Sequence, residues 1–288
     1  AEKASESLKA YAQKTLYAFA APAPPDARAC SFCGKPASMH ASKAQVPLLS
    51  GKYPNFSPQG LPGVPICGLC LLAIHALPLG GIVTTGRRLM VVHSSNSDLL
   101  MQMAHRAVED NRKAMQQARL ADWPQVPYPR TRLVAMLRTL ERTAPGTLRD
   151  TVTLSHFTND NRGADLAIHR LASSVLAFLR EVEHPVERER QHAWQQAISR
   201  AWRSRKQGEP IDEQTDRNAL YEDLYALPAG AQRFLRQYIL PARSWALAAC
   251  FIRKVMGMDE DQLNLLYSLG TRFAAYAREK RSFYFDFT

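Results

Sequence analysis

Cysteine is scarce: the chain holds five in 288 residues. That is too few for a disulfide scaffold of this length. Acid is the minority charge, with 26 Asp and Glu against 37 Lys and Arg, giving a formal net charge of +11. The pI is near 9.6. A balance this basic makes a polyanion the first partner to test. Long apolar runs are also missing. The longest charge-free stretch is Tyr53 to Gly86, and its most apolar part is Ile66 to Val83. Pro65, Pro78, Gly80 and Gly81 sit in or beside that part, as do two cysteines. A membrane-spanning helix needs about 20 mostly apolar residues, so a buried segment around a metal site fits better. Residues 1–20 hold no apolar core followed by a small-residue cleavage site. The expectation is a soluble cytoplasmic protein with no membrane partner. No GxxxxGK(S/T), HExxH or GxSxG is present, so the common NTPase, metalloprotease and hydrolase signatures are missing and no enzyme is expected. What is present is an ordinary globular composition, 46% apolar and 22% charged, long enough for one large domain or two modest ones.

Along the chain, residues 3–20 carry Leu8, Tyr11, Leu16 and Phe19 at helical positions, and the run Ala21 to Asp26 (APAPPD) stops that helix. Residues 30–70 are rich in proline and glycine and need something external to hold them. Ile82 to His93 reads as a hairpin. Ser97 to Ala121 and Arg130 to Arg142 read as helices, separated by Trp123 to Pro129 (WPQVPYP). Thr151 to Phe157 is a β-branched, alternating strand candidate, and Asn159 to Gly163 follows as a turn. From residue 166 onward nearly everything reads as helix: Ile168, Leu171, Val175 and Phe178 recur at helical spacing, as do Trp194, Ile198 and Trp202. Pro241 kinks or divides a long helix over 232–256, and Asp259 with Gln262 caps a last one. The fold class expected is α+β, predominantly α. Residues 1–165 form an N-terminal α+β domain with a zinc-knuckle insert at 30–70, and residues 166–288 form a helical bundle.

Cys30-Ser-Phe-Cys33-Gly and Cys67-Gly-Leu-Cys70 form two CxxC pairs with 33 residues between them. Two thiolates two residues apart can reach one tetrahedral ion, and a following glycine permits the tight turn. Cys33-Gly34 fits that turn. In the second pair the glycine, Gly68, lies inside. Four unrelated buried cysteines or two CxxC disulfides are the competing explanations, and a redox pair would be expected to open a βαβ unit. The reading taken is one structural zinc on Cys30, Cys33, Cys67 and Cys70, with His40 and His75 as nearby substitutes. A four-cysteine site has no open position for catalysis. Cys250 sits on an apolar helical face and reads as core.

Basic residues cluster in rows. Arg130, Arg132, Arg138, Arg142 and Arg149 fall close together, and Arg138 and Arg142 are one helical turn apart. Arg200, Arg203, Arg205 and Lys206 follow Trp194 and close a helix, while Arg233, Arg236, Arg243, Arg253 and Lys254 line the next. Such rows suit phosphate contacts, or form ordinary solvated faces. The loop with Asn159, Asn161 and Arg162 offers side chains that can bond base edges, although Asn, Asp and Gly also dominate plain turns.

Four segments in order are CSFCGKPA (30–37), VPICGLCLLAIHALPLG (64–80), SHFTNDNRGADLAIHRL (155–171) and ALAACFIRKVMGMDEDQLNLLYSLGTRFA (246–274). Together they resemble the large subunit of type I CRISPR surveillance complexes (Cascade), in the zinc-bearing, Cst-type branch. The cysteine motif is the sharpest part of the likeness. The resemblance implies a non-catalytic subunit at the 5′ end of a guide RNA. Such a subunit reads a protospacer-adjacent motif in target double-stranded DNA, helps open the duplex and recruits a helicase-nuclease, while guide pairing reads the rest. The implied partners are the guide RNA, the target DNA, the Cascade backbone subunits and the helicase-nuclease. Motif reading would fall to Asn159, Asn161 and Arg162. The displaced strand would be held by the basic rows, through Arg138, Arg142, Arg200, Arg203, Arg205 and Lys206. The alternative is a stand-alone zinc-ribbon DNA-binding regulator.

Overall fold

The computed structural model describes residues 2–42, 45–49, 63–86, 88–117, 125–160, 163–184, 188–204, 210–213 and 215–285. The fold is α+β and mostly helical, with 59% helix and 16% strand. Contacts group the chain into two units. One comprises residues 1–93, 100–129 and 153–169, and the other comprises residues 94–99, 130–152 and 170–288. The division is therefore not a single cut after residue 165.

In the first unit, helix α1 (Glu2–Leu16) passes through a tight turn at Tyr17–Ala20 into the proline-rich stop. Strands β1 (Met39–Ala41) and β2 (Val64–Ile66) pair antiparallel, with Met39 opposite Ile66. Helix α2 (Gly68–Gly80) follows directly. Its last carbonyls find a donor: Asn111 Nδ2 reaches the oxygens of Leu79 and Gly81, each at 2.9 Å. Asn111 lies on α3 (Ser97–Gln117). Strands β3 (Ile82–Thr84) and β4 (Arg88–Ser94) make the expected hairpin, with Ile82 opposite Met90. They belong to a four-stranded sheet in the order β3-β4-β5-β6, with β5 at Val152–Asp160 and β6 at Gly163–Leu171.

Strand β6 corrects the sequence reading, which ran helix from residue 166. The helix begins at Ser173 instead. Ile168 and Leu171 fit a helical period over too few residues to distinguish it from a strand. In the strand, Leu166 and Ile168 alternate onto one face and are exposed. Strand β5 also runs through Asn159 and Asp160, so the expected turn is shorter than Asn159 to Gly163.

In the second unit, α4 (Pro129–Thr143) starts with proline at the first helical position, where no amide donor is needed. It belongs with α5 (Ser173–Glu183), α6 (Arg188–Ala201) and α7 (Ala219–Asp223) because its buried residues Leu133, Leu137 and Arg138 face that core. A two-residue ladder, β7 (Trp202–Arg203) with β8 (Arg217–Asn218), precedes α7. Helix α8 (Ala231–Phe234) continues through a wider turn at Leu235–Ile239, and α9 (Trp245–Phe251) continues through Ile252–Met256. Pro241 lies between them and divides the long helix expected there. The last helix, α10 (Glu260–Phe285), carries the expected capping box: Asp259 Oδ1 accepts from the Gln262 amide at 2.8 Å, and Gln262 Oε1 accepts from the Asp259 amide at 3.1 Å.

The core of this unit is aromatic. Phe178 meets Trp194 and Phe251 edge-on, with centroids 5.2 and 5.3 Å apart, and Phe251 stacks on Phe234 at 5.3 Å. Cys250 is buried there, as expected. A polar network runs through the same core. Arg138 is 4% exposed and donates to Glu183, to the Tyr221 hydroxyl and to Gln195 Oε1. Glu183 also accepts from the Trp194 indole at 3.0 Å. A second buried carboxylate, Glu222, accepts from the Thr131 amide and hydroxyl and pairs with Arg130. Removing one member of a buried pair strands the other without a counter-charge. Replacing Glu183 by alanine should therefore cost about 3–5 kcal/mol, measured by urea unfolding. An unchanged midpoint would show that the pair contributes nothing.

Candidate metal centre and basic residues

The first cysteine pair sits in a knuckle closed by backbone bonds. The Cys30 amide donates to the Lys35 carbonyl at 2.7 Å, and the Gly34 amide donates to the Cys30 carbonyl at 2.9 Å. Gly34 has φ of +75°, the left-handed region that favours glycine, in the turn expected after Cys33. Two further bonds tie this knuckle to β2: the Ser31 amide reaches the Pro65 carbonyl at 2.9 Å, and the Ser38 amide reaches Ile66 at 3.0 Å. Cys67 follows β2 directly and precedes α2, whose first turn carries Cys70. Gly68, inside this pair, has a packing reason. A Cβ there would stand 2.2 Å from the Phe19 backbone, so the close approach of the segment after α1 demands glycine.

The strand pair therefore brings together two cysteine pairs with 33 residues between them. All four sulfurs lie within 4.8 Å of one another, and those of Cys33 and Cys67 are 3.5 Å apart. All four cysteines are free thiols, far from the roughly 2.05 Å of a disulfide. A tetrahedral zinc with arms of about 2.3 Å spaces its sulfurs about 3.8 Å apart. The cluster is thus compatible with a single structural zinc. An apolar shell of Ala41, Val46, Val64, Ile66 and Leu71 surrounds it. His40 and His75 lie outside the cluster, and His75 faces the Tyr11 hydroxyl at 3.4 Å.

Electrostatics supports the same donor set. Burial pushes the Cys30 thiol up, but the amides of Cys67, Phe32 and Cys33 point at its sulfur and hold it down to about 6. Cys70 is pushed up to about 12, first by burial and then by the sulfurs of Cys33, Cys67 and Cys30. Four thiolates this close resist common ionisation. A divalent cation at their centre removes the conflict.

The predicted nucleic-acid contacts scatter. Arg138 must be withdrawn: its guanidinium is buried and spent on Glu183, Tyr221 and Gln195, so it reaches no phosphate. Arg142 is half-exposed but leans on Glu183 at 3.4 Å. Arg200 and Arg203 are exposed. Arg200 follows the helical prediction, whereas Arg203 lies on β7, because α6 ends at Ala201. Their partners are carbonyls: Arg200 bonds Pro241 at 3.0 Å, and Arg203 bonds Arg200 and Trp202 at 2.9 Å. Arg205 and Lys206 lie outside the described residues, as do Asn161 and Arg162. Asn159 belongs to the end of β5. Of the third row, Arg233 pairs with Asp223, Arg253 with Glu181 and Glu260, and Lys254 with Glu181. Trp194 is fully buried in the core, and Trp202 is half-buried and packs edge-on against Tyr221.

One polar cluster was missed in the sequence. Thr84 on β3 lies 2.7 Å from His156 Nε2 on β5, and Arg88 on β4 pairs with Asp165 on β6. These residues are up to 77 positions apart, and only the strand order joins them. Burial, then Arg88 and His169, hold the His156 pKa below its usual value, with Asp165 opposing.

No family model, curated protein or solved structure matches the chain.

Replacing Cys67 by serine should drop bound zinc from about one per chain to near zero and expose the amides of residues 30–42 to hydrogen exchange. Retained zinc with unchanged protection would exclude the four-cysteine site. His156 gives a pH dependence of determined sign. Its folded pKa is lowered, so the unfolded chain takes the proton first as pH falls. The stability it contributes is complete above about pH 6.5 and is lost progressively below that value. A His156→Gln variant should flatten the fall in melting temperature between about pH 7.5 and 5.5. Parallel curves for variant and wild type would assign the pH dependence to other groups.

Proposed function

We propose that this chain is the non-catalytic large subunit of a type I RNA-guided surveillance complex, acting in antiviral defence. It contacts guide RNA and target double-stranded DNA, reads the motif beside the target and stabilises the opened duplex for a recruited helicase-nuclease. The observation that carries the reading is the convergence of the two distant CxxC pairs, within the segments that resemble that family, on one point. The zinc on this reading is structural. Four cysteine ligands close its coordination, so it fixes the knuckle and does no chemistry. The net charge of +11 supports a nucleic-acid partner. Exposed Arg200 and Arg203 are the described members of the predicted set best placed for backbone phosphates, since neither has an acidic partner among the described residues. Asn159, Asn161 and Arg162 remain the proposed motif readers, with asparagine suited to adenine and arginine to guanine.

Co-expression with neighbouring genes and guide RNA, followed by size exclusion with zinc and RNA quantified, tests the assembly. The expected result is co-elution in a large ribonucleoprotein with about one zinc per copy. A lone monomer or dimer, free of RNA and binding DNA with base preference, would instead identify the zinc-ribbon regulator. Within the complex, Arg200→Glu with Arg203→Glu should weaken DNA binding. The slope of log affinity against log salt should also fall, by about one for each phosphate that is no longer neutralised. An unchanged slope would remove these two arginines from the interface.

A further inference from the structure

The ladder of β7 with β8 has two rungs, which face opposite ways. Trp202 opposite Asn218 is the inward rung. Trp202 packs edge-on against Tyr221, with centroids 5.8 Å apart. Asn218 is fully buried, and its bonds reach three helices. Its amide donates to the Thr131 hydroxyl of α4 at 3.3 Å, its Nδ2 donates to the Ile198 carbonyl of α6 at 3.1 Å, and its Oδ1 accepts from the Tyr221 amide of α7 at 3.2 Å. The ladder is therefore pinned to the core on one side.

Arg203 opposite Arg217 is the outward rung, and both are exposed. Directly opposed residues of an antiparallel pair share a face, with Cβ atoms about 4.5–5.5 Å apart, and like charges set this way are destabilising. Neither arginine has an acidic partner among the described residues. The acids just before β8 are not turned to them. Asp216 is buried and accepts from the Asp212 amide at 2.9 Å, Asp212 accepts from the Thr215 hydroxyl at 2.9 Å, and exposed Glu213 pairs with neither arginine. Arg203 is held from behind. Its Nη1 donates to the carbonyls of Arg200 and Trp202, both at 2.9 Å, which leaves Nε and Nη2 with three N–H donors. The Arg217 side chain makes no hydrogen bond or ion pair among the described residues. A fixed ladder thus sets two like charges side by side in water, with no counter-charge from the chain around them.

The missing counter-charge is one that an external anion can supply. Guanidinium forks match phosphate oxygens, and a phosphodiester has two free oxygens, one for each fork. The rung is open to solvent, so it suits one contact along a repeating polyanion better than the enclosure of a free phosphate. The net charge of +11 favours the same partner. We propose that Arg203 and Arg217 clamp one phosphate of a nucleic-acid backbone. The clamp rests on the nucleic-acid part of the reading above and adds Arg217 to it, a residue that lies in none of the basic rows of the sequence.

The test is fluorescence anisotropy of a labelled oligothymidylate of about 20 nucleotides with the zinc-loaded full chain, from about 20 mM salt upward. Arg217→Gln should weaken binding about tenfold and lower the slope of log affinity against log salt by about 0.7, the value for one phosphate of a single strand. Arg203→Gln should do the same. The double variant should lose little more than either, because both side chains hold one phosphate. Arg272→Gln removes the same charge from exposed α10 and should change neither quantity. Arg217→Gln should leave the melting temperature unchanged or raised, since a like-charge pair is relieved. Inorganic phosphate at the same phosphate concentration, and polyglutamate at the same charge, should not displace the oligonucleotide. Displacement by the first would assign the pair to a free phosphate, and by the second to an acidic protein; either overturns the clamp. So would equal losses in Arg217→Gln and Arg272→Gln, additive losses in the double variant, or a lowered melting temperature. Oligonucleotide binding untouched by Arg217→Gln would remove the clamp and leave the nucleic-acid reading standing. A wild type that binds no oligonucleotide at the lowest salt would overturn both.

Discussion

A charge taken out of water must be given its opposite, or the cost of its lost hydration exceeds what packing returns. Both units are arranged around that requirement. In one, four sulfurs stand within 4.8 Å of each other, and backbone amides already hold one of them toward its ionised form. A shared cation would satisfy them together. In the other, Arg138 is placed in the core, and Glu183, Tyr221, Gln195 and Trp194 are positioned around the pair. The group joins four helices, with Arg138 on α4, Glu183 on α5, Trp194 and Gln195 on α6 and Tyr221 on α7.

The same requirement reshapes the meaning of the net positive charge. A row of arginines on a helix looks, in one dimension, like a surface for phosphate. In three dimensions many of these charges are spent internally. Arg130 holds Glu222, Arg138 holds Glu183, Arg233 holds Asp223, and Arg253 with Lys254 converge on Glu181. Of the predicted set, what is left exposed without an acidic partner among the described residues is narrower: Arg200 near the end of α6 and Arg203 on β7. On the proposed reading, the protein supplies positioning contacts, and sequence discrimination falls to a few base-facing side chains and to the guide.

Much of the fold is legible because it follows local rules. The capping box at Asp259 and Gln262, the proline at the start of α4, the hairpin over β3 and β4 and the division at Pro241 all arise from chemistry within a few residues. The cysteine spacing is equally local: each CxxC pair offers two sulfurs that can reach one tetrahedral ion. Strand β6 is the counter-example. Its residues satisfy a helical period by coincidence, and pairing with β5 decides the matter.

The sequence by itself determined the α+β class, the four sulfur donors, the caps and breaks of the helices and the excess of positive charge. Each depends on residue type and short spacing. Only the tertiary structure decided that Arg138 is core and not surface, that Gly68 yields to the Phe19 backbone, that Thr84 meets His156, and that Arg203 stands opposite Arg217. These depend on which distant segments share a neighbourhood. Burial and counter-charge are properties of that neighbourhood, not of the residue.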